Sequence, residues 1–137
     1  TLARLNMFRQ FIDFYAGHYL NSFELSFILR TYTIGLFRLL FKFKCMYKHK
    51  QLKSIGLYYA VVNWFEREIW DMFGIVFVNS LNHVRILTDY GFSGFPLRKD
   101  YPLVGYTECF YDYEADSIVY RNIFLLQEYR FFFKDIQ

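Results

Sequence analysis

The densest group of ionisable side chains in the chain is Glu66-Arg67-Glu68, with Asp71 just beyond it. Two carboxylates held together share a proton and act as an acid/base pair, but residues two apart on an α-helix point about 200° away from each other, so Glu66 and Glu68 serve different faces. Arg67 and Asp71 are four apart, the spacing of a surface ion pair contributing roughly a few tenths of a kcal/mol. His18, His49 and His83 stand singly, with no His or Glu four residues away, so a metal centre is not expected. Gly91-Phe92-Ser93-Gly94 lacks the Lys-Ser/Thr ending of a phosphate-binding loop, and backbone turns are the expected use of its glycines. Asp112, Glu114 and Asp116 alternate without the glycine and distant glutamate of a calcium loop, which fits a solvated turn. Cys45 and Cys109 have no second cysteine near them and read as buried or inert thiols in a reducing compartment.

These residues need elements to hold them. Residues 4–20 carry Leu5, Phe8, Phe11, Ile12 and Tyr15 at helical spacing, predicting an amphipathic helix that ends near Gly17. Residues 24–36 are β-branched, aromatic and poorly periodic, and are expected to be extended. Residues 38–53 contain six Lys or Arg and no acid; Leu40, Lys42 and Lys44 alternate with Phe41, Phe43 and Cys45, the period of a half-buried strand. An edge strand protected from aggregation by its lysines is one use of that pattern. Binding of single-stranded nucleic acid, anionic lipid or an acidic partner are the others.

Ser54 reads as an N-cap, and Tyr58, Val61, Val62, Phe65, Ile69 and Met72 recur at helical spacing up to Gly74, predicting a helix over 54–73. Residues 79–105 lose all periodicity and gather glycines, prolines, charges and aromatics. Such a long irregular segment inside a domain is expected to be an ordered, functional loop. Residues 108–113 and 117–124 predict a hairpin, and 127–133 an aromatic tail.

At 137 residues the chain is one domain in length. Aromatic residues make up 24% of it, which excludes a disordered or collagen-like chain and supplies more ring surface than one small core hides. Part of that surface is expected to face a partner. Abundant Phe and Tyr with only 2 Pro match an AT-rich, organelle-like coding bias. The longest stretch without a charged residue, Met72 to Val84, is shorter than the roughly 18 apolar residues of a spanning helix, and no signal-peptide layout is visible.

The run Asn63-Trp64-Phe65-Glu66-Arg67-Glu68-Ile69-Trp70-Asp71-Met72-Phe73-Gly74-Ile75 resembles the signature of the 30-kilodalton subunit family of respiratory complex I. The likeness continues through Arg85-Ile86-Leu87-Thr88-Asp89-Tyr90-Gly91-Phe92, Gly94 and Pro96-Leu97-Arg98-Lys99-Asp100-Tyr101-Pro102-Leu103, with echoes at Val119-Tyr120 and Gln127-Glu128-Tyr129-Arg130. These blocks lie in order across residues 55–133. The chain departs from the family at Ser80-Leu81-Asn82-His83-Val84, where a His-Pro-Asp-Leu-Arg run is usual, and at Phe95, which replaces a histidine. Residues 1–53 match only loosely and read as a reduced amino-terminal α/β part.

The resemblance implies a single α+β domain over 1–137, with a small mixed sheet, packed helices, a long ordered loop and a C-terminal hairpin and tail. It implies a non-catalytic subunit of the hydrophilic arm of NADH:ubiquinone oxidoreductase, on the matrix side of the mitochondrial inner membrane. No cofactor is expected in this chain; FMN and iron-sulfur clusters belong to the rest of the complex. Its expected partners are the large quinone-site subunit and the small subunit of the terminal cluster. On this reading residues 85–106 are a docking strap. Tyr90, Phe92, Phe95 and Tyr101 anchor it in partner pockets, while Arg85, Asp89, Arg98, Lys99 and Asp100 fix its register, Arg98 and Asp100 foremost. Glu66 and Glu68, on different faces of the helix beneath it, are each expected to hold a separate element, either loop backbone or a neighbour's cation. The alternative is a basic organellar ribosomal protein that binds RNA through residues 38–53.

Overall fold

The computed structural model describes residues 10–19, 21–31, 37–47, 51–80, 83–128 and 130. The chain divides into two compact units, 1–101 and 102–137. The first is built on a three-stranded antiparallel sheet in the order β1-β2-β3: β1 (Gln10–Tyr19), β2 (Ser22–Arg30) and β3 (Arg38–Met46). The sequence predicted a helix at 4–20; residues 4–9 and 20 lie outside the described residues, and the remainder is strand β1. Helical spacing misleads here because of a bulge. Phe11 pairs with Leu29 and Asp13 with Ile28, leaving Ile12 as an extra residue. The extra residue reverses the alternation, so Phe11 and Phe14, three apart, both point into the core.

The basic segment forms β3, at an edge of the sheet as its alternation implied. Cys45 faces the core, while Lys42 points to the other face and reaches Glu24 of β2 at 3.6 Å. Residues 48–50 of that segment lie outside the described residues.

A parallel pair follows, β4 (Gln51–Lys53) with β5 (Val76–Val78), joined through α1 (Val62–Phe73). Neither short strand is marked by periodicity in the sequence, because three residues are too few to show one. The helix starts later than residue 54. Between Ile55 and Val61 the backbone winds with three-residue hydrogen bonds, such as Val62 N–H to the Tyr59 carbonyl, and no side chain caps the helix at Val61. Ser54 instead caps the turn before it, accepting the Gly56 N–H at 3.0 Å. Tyr58 and Val61 are accordingly exposed, whereas Val62, Ile69 and Met72 are buried. Gly74 ends the helix as expected, at φ 72°, with its N–H on the Trp70 carbonyl.

The core lies where α1 covers one face of the sheet. Phe23 is fully buried and stacks on His18 and Tyr47, with the Phe73 ring edge-on at 6.2 Å. Phe14 meets Phe27, Phe43 and Phe77, so β1, β2, β3 and β5 share one aromatic cluster, sealed by Leu25, Val62 and Ile75. Rings meeting edge-on or offset contribute about 0.5–1.5 kcal/mol per pair beyond the area they bury.

Among the described residues, 83–106 contain turns and bends but no helix or strand, the irregular loop expected. The second unit contains the predicted hairpin, β6 (Thr107–Asp112) paired antiparallel with β7 (Ser117–Asn122). Residues 129 and 131–133 of the predicted tail lie outside the described residues. The architecture is α+β, with the strands spread over three small sheets and, among the described residues, one helix. No described helix is long and apolar enough to cross a membrane.

Candidate functional site

The side chains singled out from the sequence converge where the C-terminal half of α1 meets the loop 83–101. Asp71 is their hub. It is fully buried, and one oxygen accepts Arg85 Nη1 at 2.7 Å and the Thr88 hydroxyl at 2.6 Å. The other accepts the consecutive backbone N–H groups of Ile86, Leu87 and Thr88 at 3.2, 2.9 and 3.1 Å. Successive amides turned inward in this way form a concave anion site, and Asp71 supplies the anion from within the chain. Burial alone would raise its pKa, but the donors from Thr88, Leu87 and Arg85 outweigh burial and hold it well below the usual carboxylate range.

Arg85 extends the knot. It also donates to the carbonyls of Asp71 and Gly94, and its guanidinium lies against the rings of Trp70, Phe92 and Phe95 at 5.4, 5.6 and 5.4 Å. The surface pair of Arg67 with Asp71 expected from their spacing does not form. The loop wraps Asp71 and takes it out of solvent, while Arg67 turns to the Val84 carbonyl at 3.0 Å and the Trp64 ring at 5.2 Å.

A second fastening closes the helix end. Arg98 Nε donates to the Phe73 carbonyl, one of the acceptors a helix C-terminus leaves open, and its guanidinium stacks on Phe95 at 4.1 Å. The Leu97 N–H adds a bond to the Met72 carbonyl at 3.2 Å. Farther along, Asp100 accepts the Tyr47 hydroxyl at 2.8 Å, and the Lys99 N–H donates to His18 Nδ1 at 2.9 Å, tying the loop to the sheet. Burial would raise the Asp100 pKa, but the Tyr47 hydroxyl and Arg98 lower it on balance. Glu66 accepts the Ser54 hydroxyl at 2.7 Å and the Ile55 N–H at 2.9 Å, holding the turn before α1, while Glu68 faces solvent.

The residues assigned to docking thus fall into two sets. Arg85, Phe92, Phe95, Arg98 and Tyr101 are half-buried in contacts within the first unit, Tyr101 against Phe92 and over Gly94. Asp89, Tyr90, Lys99 and Asp100 are exposed, with Tyr90 88% exposed beside Leu87 at 62%. The side chains of Trp64, Arg67, Leu87, Asp89 and Tyr90 line an open groove of about 670 Å³.

Sequence reasoning missed Tyr47, His18, Ser54 and Thr88 as site residues. Their partners lie 53, 81, 12 and 17 residues away, beyond the reach of any local spacing rule. Chemically, the site holds a loop in shape: its carboxylates accept hydrogen bonds from fixed donors, and His18 and His83 accept backbone N–H groups. Among the described residues, no three His, Cys, Asp or Glu side chains are grouped to hold a metal ion.

Residues 2–107 match the family described as the 30 Kd subunit of respiratory-chain NADH dehydrogenase. The match therefore includes the amino-terminal half, which by its motifs is only loosely similar. The chain is 49% identical over 113 residues to NADH-ubiquinone oxidoreductase subunit 9 of Acanthamoeba castellanii, covering 82% of this chain and 56% of that protein. It is 44% identical over 108 residues to an NADH-quinone oxidoreductase subunit of Ruegeria pomeroyi, covering 70% and 54%. For NADH-ubiquinone oxidoreductase subunit 9 of Dictyostelium discoideum the figures are 43% over 110 residues, 71% and 52%. The chain spans about half the length of these curated relatives. Their names give no support to the RNA-binding alternative.

Proposed function

The chain belongs to the 30-kilodalton subunit family of respiratory-chain NADH dehydrogenase, and on that premise we propose that it is a subunit of a mitochondrial NADH:ubiquinone oxidoreductase. It sits in the peripheral arm on the matrix side of the inner membrane and supports the quinone-reducing module without catalytic residues or a cofactor of its own. Its neighbours are the large quinone-site subunit and the small subunit of the terminal cluster.

One observation carries this reading. Asp71, Arg85, Arg98 and Glu66, the side chains best suited to chemistry, are each committed to shaping the loop or the turn before the helix. The result is a rigid strap that presents Leu87 and Tyr90 outward next to Trp64 and Arg67. Exposed aromatics on a preorganised surface bind at low entropic cost, and aromatic and arginine side chains dominate interface energetics.

Gentle solubilisation of the inner membrane, native electrophoresis and in-gel NADH dehydrogenase staining test the assignment. Co-migration of this chain with the active band is expected, as is a reduced co-migrating fraction for Tyr90→Ala. Migration apart from the active band would overturn the assignment. Full incorporation of the Tyr90→Ala chain would remove the outward role of the strap.

A further inference from the structure

The interior of the strap is satisfied, but Arg67 at its edge is not. Trp64 precedes it by three residues on α1, so the two side chains are neighbours on the helix surface, and the guanidinium lies against the exposed indole at 5.2 Å. Its Nε is spent on the Val84 carbonyl at 3.0 Å. A guanidinium carries donors on all its nitrogens, so both terminal nitrogens of Arg67 still have hydrogen bonds to give. Among the described residues no carboxylate pairs with them. Asp71, the acid one turn along, is held by Arg85, Thr88 and the loop amides instead. The fold therefore leaves a cation fixed on two sides and unneutralised, in the wall of the groove beside Leu87, Asp89 and Tyr90.

We propose that this groove receives an Asp or Glu side chain of a neighbouring subunit, its carboxylate on the terminal nitrogens of Arg67 and an apolar side chain of the same segment against Leu87 and Tyr90. The inference rests on the subunit reading above and adds the chemistry of the partner. Charge selects the carboxylate. A phosphate asks for several cations or a run of inward amides, but Arg85 is spent on Asp71 and the Gly94 carbonyl, the amides of Ile86, Leu87 and Thr88 already hold Asp71, and Asp89 would repel a dianion. A carboxylate needs one guanidinium and binds it through two parallel N–H donors. Enclosure selects a protein over a free acid. Small molecules are held with about 70–90% of their surface buried. Trp64 and Leu87 are each 62% exposed and Tyr90 is 88% exposed, so these walls enclose a ligand only when a second protein surface closes over them. The Trp64 stack and the Val84 bond fix the guanidinium beforehand, which lowers the entropic cost of the new pair.

Arg67→Lys sets an amine at this position, and a carbodiimide joins an amine to a carboxylate in contact with it through an amide bond. The full-length variant would be assembled, the active band isolated by native electrophoresis and treated with the carbodiimide, and peptides containing position 67 read by mass spectrometry. A cross-link to an Asp or Glu of another subunit is expected. Exchanging the charges at both positions should then restore incorporation that either reversal alone reduces. A cross-link to Asp89 or Glu68 of the same chain overturns the proposal, since the chain would neutralise its own arginine, and so does one to a second copy of this chain. No cross-link from position 67 in a co-migrating complex overturns it and leaves the subunit assignment intact. The unsubstituted chain gives a second reading, which decides the matter where Arg67→Lys does not assemble. A dicarbonyl that modifies arginine should react with Arg67 at least about tenfold more slowly in the complex than in the free chain, because both terminal nitrogens are then engaged. Equal rates overturn the proposal. A chain absent from the active band removes the subunit reading, and this inference with it.

Discussion

Arg98 occupies the space that Gly74 leaves empty. A Cβ built on Gly74 would stand 2.1 Å from a guanidinium nitrogen of Arg98 and 2.8 Å from the Phe95 ring. The same glycine holds φ at 72°, so the turn that ends α1 and the cation that caps the Phe73 carbonyl depend on one missing side chain.

Gly74→Ala is therefore expected to be strongly destabilising. The left-handed conformation alone costs roughly 1–2 kcal/mol for an L-residue, and displacement of Arg98 and Phe95 adds to it. Thermal unfolding of the purified chain would register this as a lowered midpoint. A change no larger than that of an exposed-site control such as Glu68→Ala would contradict the arrangement.

Arg98→Ala reads differently from the sequence and from the fold. For a residue that only fixes the register of the strap on a partner, removal would weaken incorporation and leave the isolated fold intact. With its Nε on the Phe73 carbonyl and its plane on Phe95, its removal should also lower stability by about 1–3 kcal/mol. Arg98→Lys should recover only part of this, because an ammonium does not reproduce a planar donor stacked on a ring. Denaturant midpoints of the two variants would decide the matter.

Asp71→Ala leaves Arg85 without its carboxylate and three consecutive amides without their acceptor. Breaking a buried pair on one side costs about 3–5 kcal/mol, and the loop from Arg85 to Thr88 should lose hydrogen-exchange protection first. Unchanged protection at Leu87 and Thr88 would rule out the hub.

The same carboxylate predicts an acid dependence. Its folded pKa is depressed, so its contribution is complete above the unfolded carboxyl value of about 3.9 and is lost as pH falls through that value toward the folded one. Stability measured between about pH 5 and pH 2 should decline in the parent chain, and more shallowly in Asp71→Asn. Parallel curves would remove Asp71 as a source of the decline.

Glu66→Ala should leave the Ser54 O–H and the Ile55 N–H without their acceptor at the entry to α1, with an expected cost of about 1–3 kcal/mol. Glu66→Gln retains an acceptor and should cost less. Equal unfolding midpoints for the two would argue that the carboxylate does not organise this turn.

What the sequence determined was whatever depends on neighbours in the chain. The alternation of β3, the apolar stripe from Val62 to Met72, the stop at Gly74 and the hairpin across residues 113–116 are all local, and the ordered blocks from Asn63 to Leu103 carried the family resemblance. The fold decided what depends on distance. A bulge at Ile12 turned a helical-looking spacing into strand β1, because one extra residue reverses which side chains face the core. Enclosure by residues 85–88 converted Asp71 from a surface partner of Arg67 into a buried anion, and a contact across 25 residues made Arg98 a helix cap. Spacing states which side chains share a face; only the packed chain determines what that face meets, and the cost of burying a charge then selects its partner.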